Sequence, residues 1–311
     1  MTPSDISIVG LTKVYQNGIV ALDDISLELT VGITAIIGPN GSGKTTLLKI
    51  IMGLLHPTEG HVEVYGLNCW RESTRLKEDI RLMSENPRYP PGIKVHRYLS
   101  YLNYFYESNT EFRELENSIQ LPDIEIDNLS SGMKKKLGLL QAFCGKPSLI
   151  ILDEPTANLD PKMRSDLLAI IKELHWKHGI KFLIASHILA DLEEIATDII
   201  VIHEGKIRFV NTFGEFKRFF GSQFFEFHLT EKAEAWSIEL EMLDVVGRTE
   251  VYEDKLLVFL KTPMSLKGFL SLLYQSNALP ESDFNLIRRP ISIDDIFDPK
   301  EERIETEDDG I

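Results

Sequence analysis

Gly38-Pro39-Asn40-Gly41-Ser42-Gly43-Lys44-Thr45 is the stretch that decides how this chain is read. It follows an apolar run ending at Ile37 and opens a helix-like pattern from Lys44 to Leu55, the strand, loop and helix setting that a phosphate-binding loop requires. Gly38, Gly41 and Gly43 let the backbone curl so that successive N–H groups point inward at phosphate oxygens. The helix start adds partial positive charge there. Pro39, Asn40 and Ser42 complete the loop, Lys44 supplies a cation for the outer phosphates, and Thr46 follows on the helix. Thr45 places a hydroxyl where a Mg2+ bridging the last two phosphates would sit. A plain Gly-rich turn before a helix gives no reason for Lys-Thr at this spacing.

Outward from the loop, apolar runs bounded by turn residues recur at Ile6 to Leu11, Gly32 to Ile37, Leu149 to Leu152, Lys181 to Ala185 and Ile199 to Ile202. Helix-like spacing fills Pro161 to His178 and Leu189 to Ala196, so strands alternate with helices and an α/β sheet is expected. The run at Leu149 to Leu152 ends in Asp153-Glu154, which puts two adjacent carboxylates at the sheet edge where α/β proteins bind ligands. Side chains alternate along a strand, so the two are expected to diverge. Asp153 then holds the Mg2+, and Glu154 orients and polarises an attacking water. His187, after the run Lys181 to Ala185, offers an imidazole at the same edge for the γ-phosphate.

Tyr98 to Gln120 carries a helical pattern without strands and is read as part of a helical insertion spanning about 85–140. Within it Tyr98, Tyr101, Leu102 and Phe105 form a stripe that most simply is core. Lys134-Lys135-Lys136 reads first as a solvated helix face and second as an electrostatic attraction to phosphates. Beyond Val210 the alternation stops. Phe224 to Leu229 and Leu256 to Leu260 resemble strands and Leu266 to Tyr274 a helix, which predicts a small α+β domain over 221–311 after a first domain over 1–220, with a join near Phe219 to Gln223.

The 311 residues are 43% hydrophobic and 26% charged, an ordinary globular composition. These apolar runs fall far short of the roughly 20 residues needed to cross a bilayer. The start, with Asp5 and no long apolar run, shows no secretory signal, so a cytosolic compartment is expected. Cys69 and Cys144 are too few for a disulfide framework and are expected to be reduced. The formal net charge is −15, and Ile291 to Ile311 holds nine acidic against two basic residues. That tail reads as a solvated acidic end, and a chain this acidic is a poor wrapper of nucleic acid.

With these residues placed, the chain resembles the ATP-binding subunits of ABC transporters over roughly 6–217. The loop matches that family's Walker A motif, Asp153-Glu154 ends its Walker B motif, Ala157-Asn158-Leu159-Asp160 is similar to its D-loop, and His187 matches its switch histidine. Leu129-Ser130-Ser131-Gly132-Met133 stands where the family has its Leu-Ser-Gly-Gly-Gln signature. The resemblance implies a phosphate-loop ATPase core with a helical subdomain, ATP and Mg2+ as ligands, and Tyr15 stacked on adenine. It also implies a second ATP-binding subunit whose signature faces this chain's ATP, so that Ser130, Ser131 and Gly132 act across a dimer. A separate multi-span membrane subunit would complete the assembly at the cytoplasmic face of the membrane.

Two departures stand out. Ser131 and Met133 replace the commoner Gly and Gln of the signature. Glu85, in Met83-Ser84-Glu85-Asn86-Pro87, replaces a Gln that in many members touches Mg2+; a carboxylate can ligate Mg2+ too, and a solvated loop acid is the plain alternative. Glu85-Asn86-Pro87, the extra domain and Ser292-Ile293-Asp294-Asp295-Ile296-Phe297 together resemble ATP subunits of bacterial exporters. An importer motor is the nearest alternative, and a soluble ABC ATPase acting on ribosome or DNA the next.

Overall fold

A computed structural model describes residues 4–106, 110–221, 223–229, 233–252, 255–276, 278–279 and 284–288. The chain divides into two compact units, one ending at Val210 and one spanning Asn211–Glu301. The division therefore comes about ten residues before the expected join at Phe219 to Gln223. The segment Ser292 to Phe297 and the acidic tail lie outside the described residues.

The first unit opens with two strands, β1 (Ile6–Val14) and β2 (Val20–Leu29), which pair antiparallel. Strand β3 (Ile33–Ile37) then leads through the phosphate loop into helix α1 (Lys44–Ile51). Next come β4 (Glu59–Val64), β5 (Leu67–Asn68), α2 (Ser73–Asp79) and β6 (Ile80–Met83). The helices α3 (Val95–Tyr106), α4 (Thr110–Ile119) and α5 (Ser131–Phe143) follow in succession. The pattern resumes with β7 (Leu149–Asp153), α6 (Pro161–His178), β8 (Lys181–Ser186), α7 (Leu189–Glu193), β9 (Asp198–His203) and β10 (Lys206–Thr212).

The central sheet runs β10-β9-β3-β8-β7-β6, and β6, β7, β8, β3 and β9 pair parallel. Every residue of β3 and β7 is buried, as expected for parallel strands covered on both faces. This is why the runs Ile33–Ile37 and Leu149–Asp153 read as continuous apolar segments rather than alternating ones. A second, antiparallel sheet, β2-β1-β4-β5, shares a core with α1 and one face of the central sheet, including Ile8, Leu22, Leu48, Val62, Ile151 and Leu183. The P-loop ATPase architecture of α/β type expected from the sequence is present.

Two helix starts carry side-chain caps that matter for the site. Ser130 Oγ accepts the Met133 N–H at 3.2 Å at the start of α5. Asp160 accepts the Met163 N–H at 2.9 Å at the start of α6, with Pro161 in the first turn and Gly179 in left-handed conformation at the far end. Each cap satisfies a donor that the helix leaves orphaned.

The stripe on α3 is core only in part: Leu102 is buried and Tyr98 half-buried, while Tyr101 is 44% exposed and Phe105 74%. Val95, Leu99 and Leu102 already fill the inward face, so Tyr101 and Phe105 are displaced toward solvent.

The second unit contains α8 (Phe213–Phe220), β11 (Phe224–Leu229), α9 (Ala233–Glu241), β12 (Val246–Tyr252), β13 (Lys255–Leu260), α10 (Leu266–Gln275) and β14 (Phe284–Arg288). The sheet order is β12-β13-β11-β14, with every neighbouring pair antiparallel. After α8 the order is strand, helix, two strands, helix, strand, a split β-α-β arrangement of the ferredoxin-like kind. Phe225, Phe227, Val258 and Leu260 form its core with Trp236 and Leu240 from α9 and Phe269 and Leu273 from α10.

Candidate nucleotide site

The phosphate loop lies between β3 and α1, and its glycines are there for backbone reasons. Gly41 has φ +84° and Gly43 φ +109°, a region that L side chains enter at a cost. A Cβ on Gly38 would collide with the Ile202 carbonyl oxygen and stand 2.6 Å from Ser42 Oγ. Ser42 Oγ itself is buried without a hydrogen-bond partner. The Pro39 ring restricts its φ, and its carbonyl accepts the Ser42 N–H at 3.2 Å.

Lys44 is 6% exposed and donates to the Gly38 and Pro39 carbonyls at 2.7 and 3.0 Å. Burial lowers its pKa, and the charges of Glu154 and Asp153 oppose that shift. Its Nζ lies 3.8 Å from Glu154 Oε1. The next residue, Thr45, donates from Oγ1 to Asp153 Oδ1 at 3.1 Å. Burial raises the Asp153 carboxyl pKa; the Thr45 hydrogen bond opposes this, and the Glu154 and Glu85 charges add to it. A hydroxyl and a buried, charge-crowded carboxylate in contact are a donor set suited to a hard cation completed by phosphate oxygens and water. Thr46 accepts or donates one bond with the Tyr15 hydroxyl at 3.1 Å. That bond holds the Tyr15 ring, 38% exposed, beside the first turn of α1.

Asp153 and Glu154 do diverge, but not through strand alternation. The strand ends at Asp153, and Glu154 adopts φ +48°. Its N–H donates to the Ala185 carbonyl at 2.9 Å. Glu154 Oε2 faces His187 Nδ1 at 2.8 Å and accepts the His187 N–H at 3.4 Å, while Oε1 is buried without a hydrogen-bond partner. His187 is thus placed against the carboxylate expected to polarise water, with its side chain 41% exposed.

Glu85 is exposed, and no contact with Thr45 or Asp153 accompanies it; its charge is felt at Asp153 and at Lys135. The signature residues lie at the start of α5 and face the segment that leads into α6. Ser130 is exposed as the cap of α5, Ser131 Oγ donates to the Asn158 carbonyl at 3.4 Å, and Gly132 is buried where a Cβ would collide with Met163 Sδ. A larger residue at Gly132 would require the flexible Met163 side chain on α6 to move.

Lys135 corrects the reading of Lys134-Lys135-Lys136 as a solvated face. Lys136 reaches Asp166 at 3.0 Å and Lys134 the Asp127 carbonyl at 3.0 Å, but Lys135 is 6% exposed and donates to the Glu154 carbonyl at 2.7 Å. Three successive helix residues are about 100° apart and cannot share one face. Lys135 falls on the stripe of Gly132 and Leu139, both buried; that spacing was the signal for its burial.

The ABC transporter family profile matches residues 22–157. The ABC transporter ATP-binding protein YxlF of Bacillus subtilis is 30% identical over 243 residues, covering 74% of this chain and 79% of its own. The bacitracin transport ATP-binding protein BcrA of Bacillus licheniformis is 26% identical over 281 residues, covering 88% and 90%. Against two other Bacillus subtilis cassettes the chain spans 66% and 63% of their length. Among solved structures, cbiO1 from Clostridium perfringens, part of the ABC transporter complex cbiONQ, superposes with a TM-score of 0.61 at 24% identity. It covers 69% of this chain and 90% of its own, a likeness of fold.

Proposed function

The chain belongs to the ATP-binding proteins of ABC transporters, a family of ATP hydrolases, and from that premise we propose that it is the motor subunit of an exporter. It works as one of two facing copies or partners at the cytoplasmic face of a separate membrane-spanning subunit. The observation that carries the reading is the convergence of Lys44, Thr45, Asp153, Glu154 and His187 on one sheet edge through contacts of 2.8–3.8 Å.

ATP phosphates lie in the loop, against its N–H groups and the start of α1, with Lys44 turning from the Gly38 and Pro39 carbonyls to the outer phosphates. Tyr15 flanks the adenine. Thr45 and Asp153 would hold Mg2+, with the exposed Glu85 as a further candidate carboxylate; when bound, the ion would neutralise charge on the outer phosphates. Glu154 accepts a hydrogen bond from the attacking water and aims it at the γ-phosphorus. His187 fixes the carboxylate through Oε2, which leaves Oε1 for the water. Proton acceptance by a positioned carboxylate contributes typically about 10²–10⁴-fold. Ser130, Ser131 and the N–H groups near Gly132 complete the site around ATP held by a second copy, so ATP closes the dimer and hydrolysis reopens it.

No helix among the described residues is long and apolar enough to cross a membrane, and in this reading a separate subunit carries out translocation. Transport is favoured by the relation to the bacitracin transport ATP-binding protein BcrA, which extends over 88% of this chain and so beyond the first unit. The test is to solubilise membranes of the native host gently with Mg2+-ATP and a tagged Glu154→Gln chain, then identify what copurifies. A multi-span membrane protein is expected. Ribosomes or DNA-repair proteins in its absence would overturn the transporter reading in favour of a soluble ABC ATPase.

A further inference from the structure

We propose that Lys135 is the positioning residue of Glu154: its buried ammonium pins the backbone that aims the water-polarising carboxylate. The inference rests on the reading of Glu154 given above. Glu154 holds φ +48°, a left-handed conformation that costs a non-glycine residue roughly 1–2 kcal/mol and persists only when its surroundings fix it. Two partners do so from opposite sides. The Glu154 N–H donates to Ala185 O on β8 at 2.9 Å, and the Glu154 carbonyl accepts from Lys135 Nζ on α5 at 2.7 Å. The same carbonyl meets the Ala157 N–H at 3.3 Å, at the start of the D-loop.

A lysine at this place is not explained by packing. An isolated buried ammonium is strongly disfavoured, and burial does lower the Lys135 pKa, against which Glu85, Glu154 and Asp153 act in that order. The cation therefore belongs to the carboxylate cluster of the site rather than to the solvent face of its helix. It offsets the mutual repulsion of Asp153 and Glu154, and it gives the exposed Glu85 an opposite charge across the site. Its effect on the reaction passes through the direction of the Glu154 side chain, since Lys135 reaches the main chain and not the γ-phosphate.

The full-length chain is purified as wild type, Lys135→Met, Lys135→Gln, Lys135→Arg, Glu154→Gln and Lys135→Met/Glu154→Gln. Steady-state Mg2+-ATP hydrolysis, binding of a fluorescent ATP analogue and thermal unfolding are measured on each. A misaimed catalytic group costs about 10²-fold, so Lys135→Met is expected to lower kcat by about 10–100-fold. KM and analogue affinity should stay within about threefold, because the phosphate loop is untouched. Lys135→Arg, which keeps charge and donors, should recover more turnover than Lys135→Gln. In the Glu154→Gln background the added Lys135→Met should cost nothing more, since residues acting as one unit are non-additive. Wild-type kcat in Lys135→Met overturns the proposal. So does a loss that follows the melting temperature and nucleotide affinity across the three variants, which marks a purely structural lysine. Wild-type turnover in Glu154→Gln would instead overturn the role given to Glu154.

Discussion

Replacing Gly43 and Gly41 by Ala, one at a time, separates two physical demands made on the phosphate loop. Both glycines have positive φ, +109° and +84°. At Gly41 an added Cβ meets nothing within 4 Å, so Gly41→Ala bears only the left-handed backbone strain, about 1–2 kcal/mol. At Gly43 the Cβ would also collide with the Ala21 carbonyl oxygen and stand 2.9 Å from Leu22 Cδ2. Ala21 lies in β2, whose neighbours Val20 and Leu22 are registered against Val14 and Lys13 of β1, so that carbonyl cannot retreat cheaply. Overpacking of this kind adds about 1–3 kcal/mol, and Gly43→Ala is expected to cost roughly 2–5 kcal/mol, centred near the middle of that range. Native-state hydrogen exchange at Ile36 and Ile37 in β3, without nucleotide, reads the stability of the first unit without assuming that both units unfold together. The expectation is faster exchange by about tenfold in Gly41→Ala and by several hundredfold in Gly43→Ala, at about 1.4 kcal/mol per decade. Equal effects at the two sites would refute the claim that β2 backs the loop.

Three further outcomes follow from the same geometry. Lys44→Ala removes a nearly buried cation from the phosphate site and should weaken ATP-analogue binding by about tenfold or more, since a charged hydrogen bond contributes about 1.5–3 kcal/mol; unchanged affinity in a titration would contradict the loop. Ser130→Ala removes the cap bond to the Met133 N–H, so it should destabilise α5 by about 1 kcal/mol and also lower turnover. A fully active Ser130→Ala dimer would contradict the role given to the signature. Burial pushes the Cys69 and Cys144 thiols up to about 12, so at pH 8 neither should react with a thiol reagent until the chain is unfolded, when both should. Fast labelling of the native protein would contradict that burial.

The phosphate loop, the Asp153-Glu154 pair and His187 were legible because each is a short motif set by the end of a buried strand, and such runs announce themselves. What escaped depends on contacts distant in sequence. Lys135 reads as one of three solvated cations until α5 is packed against the turn after β7, and only its spacing from Gly132 and Leu139 hints otherwise. Asp153 and Glu154 take different partners, Thr45 and His187, and the left-handed Glu154 held from β8 and α5 has no local signature. Tyr101 and Phe105 follow helical spacing yet face outward, because smaller apolar residues already fill the inner face of α3. In the second unit the aromatic run of β11 was visible, whereas β12, reading Val-Gly-Arg-Thr-Glu-Val-Tyr, carries too few apolar residues to stand out. Its split arrangement emerges only from strand pairing.

The central claim is that Glu154 activates water for ATP held by Lys44 and closed over by a second copy. Sedimentation of the purified Glu154→Gln chain with Mg2+-ATP, alongside phosphate release, tests it most directly. An ATP-dependent dimer with nucleotide trapped in it is expected, with turnover lowered by about 10²–10⁴-fold. A Glu154→Gln chain that hydrolyses ATP at the wild-type rate, or that stays monomeric when saturated with ATP, would contradict it.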